Sequence, residues 1–176
     1  MRTNFHAMTV QIAVIGGSEA EEATLAIAGK IGHALASAGA VIVTGGLGGV
    51  MAAVCQGAKS VGGLTVGILP GSDPAAANEW VDVIIPTGLG EARNALVVRS
   101  ATAVIAVGGE YGTLSEIALA LRARIPVIGV GTWSLIRPDG ESDTEMIRVS
   151  DPLEAAAEAF RLASPSPGQS TPEPSN

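Results

Sequence analysis

Short apolar runs recur along this chain, and nearly every one ends on glycine or a turn. "VQIAVIGG" (10–17), "AVIVTGG" (40–46), "LTVGILPG" (64–71), "VDVIIPT" (81–87), "AVIAVGG" (103–109) and "PVIGVG" (126–131) read as six strands. Alanine-rich stretches of helical spacing alternate with them, over 19–38, 50–61, 90–101 and 113–124. Asp151 is placed to cap a last helix over 151–162, with Pro152 at its first position. The strands are continuously apolar rather than alternating, which predicts burial on both faces and therefore a parallel sheet covered by helices. The expected fold class is α/β: a single domain built on a doubly wound, mostly parallel, Rossmann-like sheet. That domain spans 10–163, after an N-terminal extension over 1–9. The Pro/Ser-rich end, 164–176, cannot pack a core and is expected to be disordered.

In such sheets ligands sit outside the carboxyl ends of the strands. Those ends carry Gly16, Gly17 and Ser18, then Thr44, Gly45 and Gly46, then Pro70-Gly71, Pro86-Thr87, and finally Gly108 and Gly109. One glycine pair explains a tight turn and no more. Three pairs at ends that should converge predict a ligand cradle, with Met51 beside it at the start of the second helix.

Composition narrows the ligand. The 176 residues are 47% hydrophobic but only 3% aromatic, so Ala, Val, Ile and Leu must make the core. The net charge is −7, and no Lys/Arg cluster offers a surface that could follow a nucleic-acid backbone. A bound anion should be small, held by backbone N–H groups and one or two arginines. Cys55 is the sole cysteine and there are two histidines, so neither a disulfide framework nor a metal site is expected. No apolar run approaches the roughly 18 residues that span a bilayer. The opening "MRTNFHAMTV" lacks the apolar stretch of a signal peptide. A cytoplasmic location and no membrane partner are therefore expected.

A dinucleotide cofactor fits poorly. The first strand is followed by "GGSEAE" rather than G-x-G-x-x-G, and the second ends in Thr44-Gly45 where an acid for ribose hydroxyls belongs. "GGLGGVM" has the wrong spacing and follows the second strand. A P-loop is excluded, because the only lysines are Lys30 and Lys59 and neither follows a glycine loop with Ser or Thr behind it. No resident cofactor is expected.

The stretch "VGGEYGTLSE" (107–116) admits two readings. Thr113 and Glu116 form a T-x-x-E capping box, in which Glu116 bonds back to the turn. Alternatively a phosphate rests on the N–H groups of Gly112, Thr113 and Leu114, beside Tyr111, while Glu116 serves a sugar. The longer run "ARNALVVRSATAVIAVGGEYGTLSEIALAL" (92–121) resembles the LOG family of SLOG-type proteins, over roughly 10–134. That family's motif is P-G-G-x-G-T-x-x-E, preceded by an Arg-Lys pair. Its members bind nucleoside monophosphates such as AMP and cleave the N-glycosidic bond to free ribose 5-phosphate.

The resemblance implies that Glu116 is the catalytic glutamate, stabilising an oxocarbenium-like sugar. It implies that Arg93, with one residue skipped before Gly108, is the catalytic arginine clamping phosphate. It also implies a homodimer or higher homo-oligomer, for which the apolar "NALVVR" (94–99) is a candidate surface. Arg99 points elsewhere on its helix, and Glu110 is expected to face solvent. The lysine decarboxylase label given to such proteins needs a Schiff-base lysine, and neither lysine lies near the glycine loops.

The chain also departs from that motif. Val107 replaces Pro, Asn94 stands for the Lys, Ser115 stands where many members carry a first Glu, and the segment 70–91 is short. These features are similar to a divergent branch of molybdenum-cofactor carriers, which would use the same loops for a phosphate-bearing pterin without turnover. Two functions are therefore expected to compete: a phosphoribohydrolase, and a non-catalytic carrier.

Overall fold

The protein is described by a computed structural model over residues 9–164. The N-terminal extension and the Pro/Ser-rich end lie outside those residues, apart from Thr9 and Ser164.

The strands are β1 (Gln11–Gly16), β2 (Val41–Thr44), β3 (Thr65–Leu69), β4 (Val83–Pro86), β5 (Ala103–Val107), β6 (Val127–Val130) and β7 (Met146–Val149). The helices are α1 (Glu22–Ser37), α2 (Val50–Lys59), α3 (Asn94–Arg99), α4 (Tyr111–Arg122) and α5 (Pro152–Ala163). All seven strands join one sheet in the order β4-β3-β2-β1-β5-β6-β7, and every recorded pairing is parallel. The chain winds outward from β1 to β4, returns to lay β5 against β1, and winds outward again. That reversal creates a crevice between β1 and β5, at their carboxyl ends.

Strand alternation divides the core. Ile12 and Val14 of β1 pack with Ala28, Ile31 and Leu35 of α1, Val54 of α2 and Ala155 of α5. Ala13 and Ile15 face the other way, onto Val97 and Val98 of α3 and Ile117 of α4. Two of the three helices over the first face lie backbone to backbone: a Cβ on Gly57 would strike the carbonyl of Gly29, so only glycine lets α1 and α2 approach this closely.

Three expectations need correction. The sheet has a seventh strand, β7, whose sequence "MIRV" contains a charge and buries only Met146. An edge strand needs no continuous apolar run, so it left no clear pattern. β4 is apolar but not buried on both faces: Val83, Ile84 and Ile85 are 43%, 39% and 42% exposed. A short 3-10 turn (Pro74–Ala76) stands in for a helix between β3 and β4, so among the described residues no helix covers the far edge of the sheet on the α3 side. Finally, α4 begins at Tyr111 after Glu110, two residues before the expected start, which places Thr113 inside the helix and removes the capping box.

Candidate functional site

At the carboxyl ends of β1, β2 and β5 lies a cavity of about 390 Å³. The end of β1 and the turn after it contribute Gly16, Gly17 and Ser18, the β2–α2 turn contributes Gly45, and the first turn of α2 contributes Met51. The N-terminal turn of α4 supplies Tyr111, Gly112 and Thr113, and Arg93 and Glu116 complete the wall. These ten residues, widely separated in sequence, are brought together as the converging glycine turns predicted.

Four others do not reach the cavity. Thr44 is fully buried, and its hydroxyl accepts the Gly46 N–H at 3.0 Å. Gly46 lies against Leu69 and Gly67. Gly108 and Gly109 make the β5–α4 turn, where the Gly108 N–H bonds the Val130 carbonyl. Their work is to shape the loops. Glu110 is exposed, as expected, yet borders the opening.

The amides available to an anion differ by a register from the expected set. The Leu114 N–H is used within α4, bonding the Glu110 carbonyl at 2.9 Å. The N–H groups of Tyr111, Gly112 and Thr113 have no protein acceptor among the described residues and stand at the positive end of the helix.

Arg93 is the most unusual side chain here. It ends a 3-10 turn (Gly90–Arg93) before α3, is 7% exposed, and lies under the β2–α2 turn. A Cβ on Gly45 would sit 2.6 Å from Nη1 and 2.7 Å from Nη2, so the absence of a side chain there makes room for the guanidinium beside the backbone. Arg93 Nη1 is 3.7 Å from Glu116 Oε1, close enough for attraction but beyond a hydrogen bond. Arg93 Nε is buried with no partner among the described residues. A buried donor left unmade costs about 1–3 kcal/mol, and the Nη groups of the same guanidinium, which hydrogen-bond no described residue, remain for an anion in the cavity.

Burial dominates the titration of both groups. It pushes the Glu116 carboxyl up to about 7, with Arg93 pulling the other way. It lowers Arg93, against the attraction of Glu116. The pair is therefore a cation facing an acid that is close to half protonated at neutral pH, which leaves net positive charge for a ligand.

The residues that sequence reading did not assign to the site include Asn94, Ser115, Leu47 and Pro70. Asn94 and Ser115 are the two departures from the charged positions of the LOG motif, and they face each other. Asn94 Nδ2 donates to Ser115 Oγ at 3.1 Å, and Ser115 Oγ donates to the Gly112 carbonyl at 2.7 Å. A neutral hydrogen-bonded pair thus occupies both positions. Among the described residues no cluster of His, Cys, Asp and Glu could hold a metal ion, and no helix is long and apolar enough to cross a membrane.

Fold and site together define a parallel, doubly wound α/β protein with a small-ligand cavity at the point where strand order reverses. The sequence places it further: residues 9–156 match the SLOG cluster4 family, and the chain belongs to that family. The molybdenum cofactor binding protein of Rippkaea orientalis is 35% identical, aligns over 89% of this chain and 98% of its own, and superposes with a TM-score of 0.78. The Moco carrier protein of Chlamydomonas reinhardtii is 36% identical over 88% of this chain and 97% of its own, with a TM-score of 0.76. A protein of Archaeoglobus fulgidus is 50% identical over 113 residues, 64% of this chain and 74% of that one. The resemblance expected from the sequence, to the carrier-like branch of SLOG proteins, is thereby established.

Proposed function

We propose that this chain binds and carries a small phosphorylated heterocycle of the molybdenum-cofactor or nucleotide kind, with its phosphate held in the cavity by Arg93. The observation that carries the reading is the buried Arg93 guanidinium, hydrogen-bonded to no described residue, lining the same cavity as the free amides of Tyr111, Gly112 and Thr113. A phosphate satisfies both sets, since a helix N-terminus and a planar guanidinium are each suited to oxoanions. The likeness to the Rippkaea and Chlamydomonas proteins supports a pterin phosphate as cargo. Titrating the protein with molybdenum cofactor and with AMP, by calorimetry, tests the reading. Binding by the native chain and its loss in Arg93→Met supports it; equal binding by both overturns it.

A second reading, a phosphoribohydrolase, is favoured by Glu116. A buried carboxyl raised to about 7 is suited to exchange a proton or stabilise a cationic sugar near neutral pH. Release of ribose 5-phosphate from AMP, abolished in Glu116→Gln, would establish turnover; binding without release would leave the carrier.

The chain is further proposed to form a homodimer. Val83 and Ile85 pair in register with Val66 and Ile68 on the α3 side of the sheet, and Leu96 of α3 is 41% exposed. A second copy covering this apolar face, exposed among the described residues, is the assembly proposed. Light scattering at micromolar concentration should give twice the monomer mass, and a monomer mass would contradict it.

A further inference from the structure

The loop after β6 is fastened to the turn that opens the cavity. Thr132 Oγ1 donates to the Gly108 carbonyl at 2.6 Å, and Trp133 Nε1 donates to the Glu110 carbonyl at 3.2 Å. From β7, Arg148 Nη1 donates to the Trp133 carbonyl at 2.6 Å and Nη2 to the Thr132 carbonyl at 3.1 Å. Trp133 is half-buried against the second core cluster, so its indole is held by packing as well as by the Nε1 hydrogen bond.

On that fixed indole rests Tyr111. The ring centroids are 5.5 Å apart and tilted by 40°, an ordinary attractive aromatic geometry. Yet Tyr111 is 80% exposed and borders the cavity. An aromatic ring this exposed contributes little to the core. The chain is only 3% aromatic, and two of its few rings are paired here, with Tyr111 at the mouth of the site and Trp133 behind it.

Resting on the ligand-binding reading above, we propose that Tyr111 is the stacking platform for the ligand's planar heterocycle and that Trp133 is the positioning residue that holds it. The phosphate end is read by Arg93 and the amides of α4; the ring end lies over Tyr111. Base-on-aromatic stacking tolerates any flat heterocycle, so the platform adds affinity for a purine or a pterin and none for a phosphate ester that lacks a flat heterocycle. Arg148 acts one step further back, by fixing the backbone of Trp133.

The test uses the Trp80→Phe variant, in which Trp133 is the only indole, and three probes: AMP, a dihydropterin monophosphate and ribose 5-phosphate. The two ring-bearing phosphates should change the Trp133 emission, and ribose 5-phosphate should bind without changing it. Tyr111→Ala should weaken the ring-bearing probes roughly 5- to 100-fold while leaving ribose 5-phosphate within about twofold. Tyr111→Phe should restore binding, and Trp133→Phe should do better than Trp133→Ala. If the ring-bearing probes bind but neither the emission nor the Tyr111→Ala affinity moves, the platform is wrong and the phosphate cavity stands. If none of the three probes binds, the cavity reading fails and the platform fails with it.

Discussion

Two concave regions of this molecule differ in an instructive way. The larger, about 780 Å³, is a groove on the outer surface of α1 and α2, bordered by Leu25, Ala26, Ala53, Trp80 and His33. The smaller, about 390 Å³, is the cavity at the β1/β5 crevice. Volume favours the groove; chemistry favours the cavity. The groove follows from two helices crossing on glycines, and the polar pair beside it, His33 Nδ1 and Ser60 Oγ at 3.0 Å, is exposed and already satisfied. The cavity holds a buried cation, a carboxyl pushed up by burial and a donor with no acceptor. Unsatisfied groups are unfavourable in a folded core unless something completes them, so they identify a site better than empty space does.

The contrast predicts where mutations act. The largest effect should come from Gly57→Val, which forces side-chain atoms into the Gly29 carbonyl at the helix crossing. Thermal and urea unfolding should show a loss of about 3 kcal/mol, with ligand affinity of the folded fraction unchanged. A neutral result would mean that the crossing is looser than described.

Arg93→Met should do the reverse. Affinity for a phosphate-bearing ligand should fall about 100-fold, close to 2.7 kcal/mol, because the only cation lining the cavity among the described residues is gone. Folding stability should change little at pH 7, since the isolated Glu116 becomes neutral.

Glu116 supplies a pH test. Its carboxyl rises on folding from 4.5 to about 7, so its contribution to stability is fully present below the lower value and is lost as pH rises through the upper one. Between pH 5 and pH 8 the native chain should lose about 2 kcal/mol relative to Glu116→Gln. Anion affinity should also weaken above pH 7 in the native chain, as the ionised carboxylate repels the ligand, and stay flatter in the variant. Matching pH profiles for the two proteins would remove Glu116 from the account.

The smallest effect belongs to the groove. His33→Ala should alter stability by less than about 0.5 kcal/mol and leave ligand binding untouched. A clear loss of binding would reverse the roles assigned to the two regions.

How much of this was visible in the sequence varies with the element. β1, β2 and β5 are buried in the centre of the sheet and had to be continuously apolar, so they were legible, and the glycine turns after them pointed to the place where the structure has a cavity. β7 was not, because an edge strand can carry Arg148 outward and bury little else. The T-x-x-E spacing suggested a cap, but helix α4 starts at Tyr111, and the carboxyl of Glu116 turns to Arg93 instead. Asn94 and Ser115 looked like two independent departures from the LOG motif; only the fold shows them as one hydrogen-bonded pair. Trp133 was invisible because its loop has no periodicity, and its role depends on the Glu110 carbonyl and the Tyr111 ring across the β5–α4 turn.

The most direct measurement is a calorimetric titration of the native chain and Arg93→Met with a dihydropterin monophosphate at pH 7. The account predicts saturable one-site binding by the native chain and about 100-fold weaker binding by the variant. Equal affinity in both, or no binding by the native chain, would contradict it.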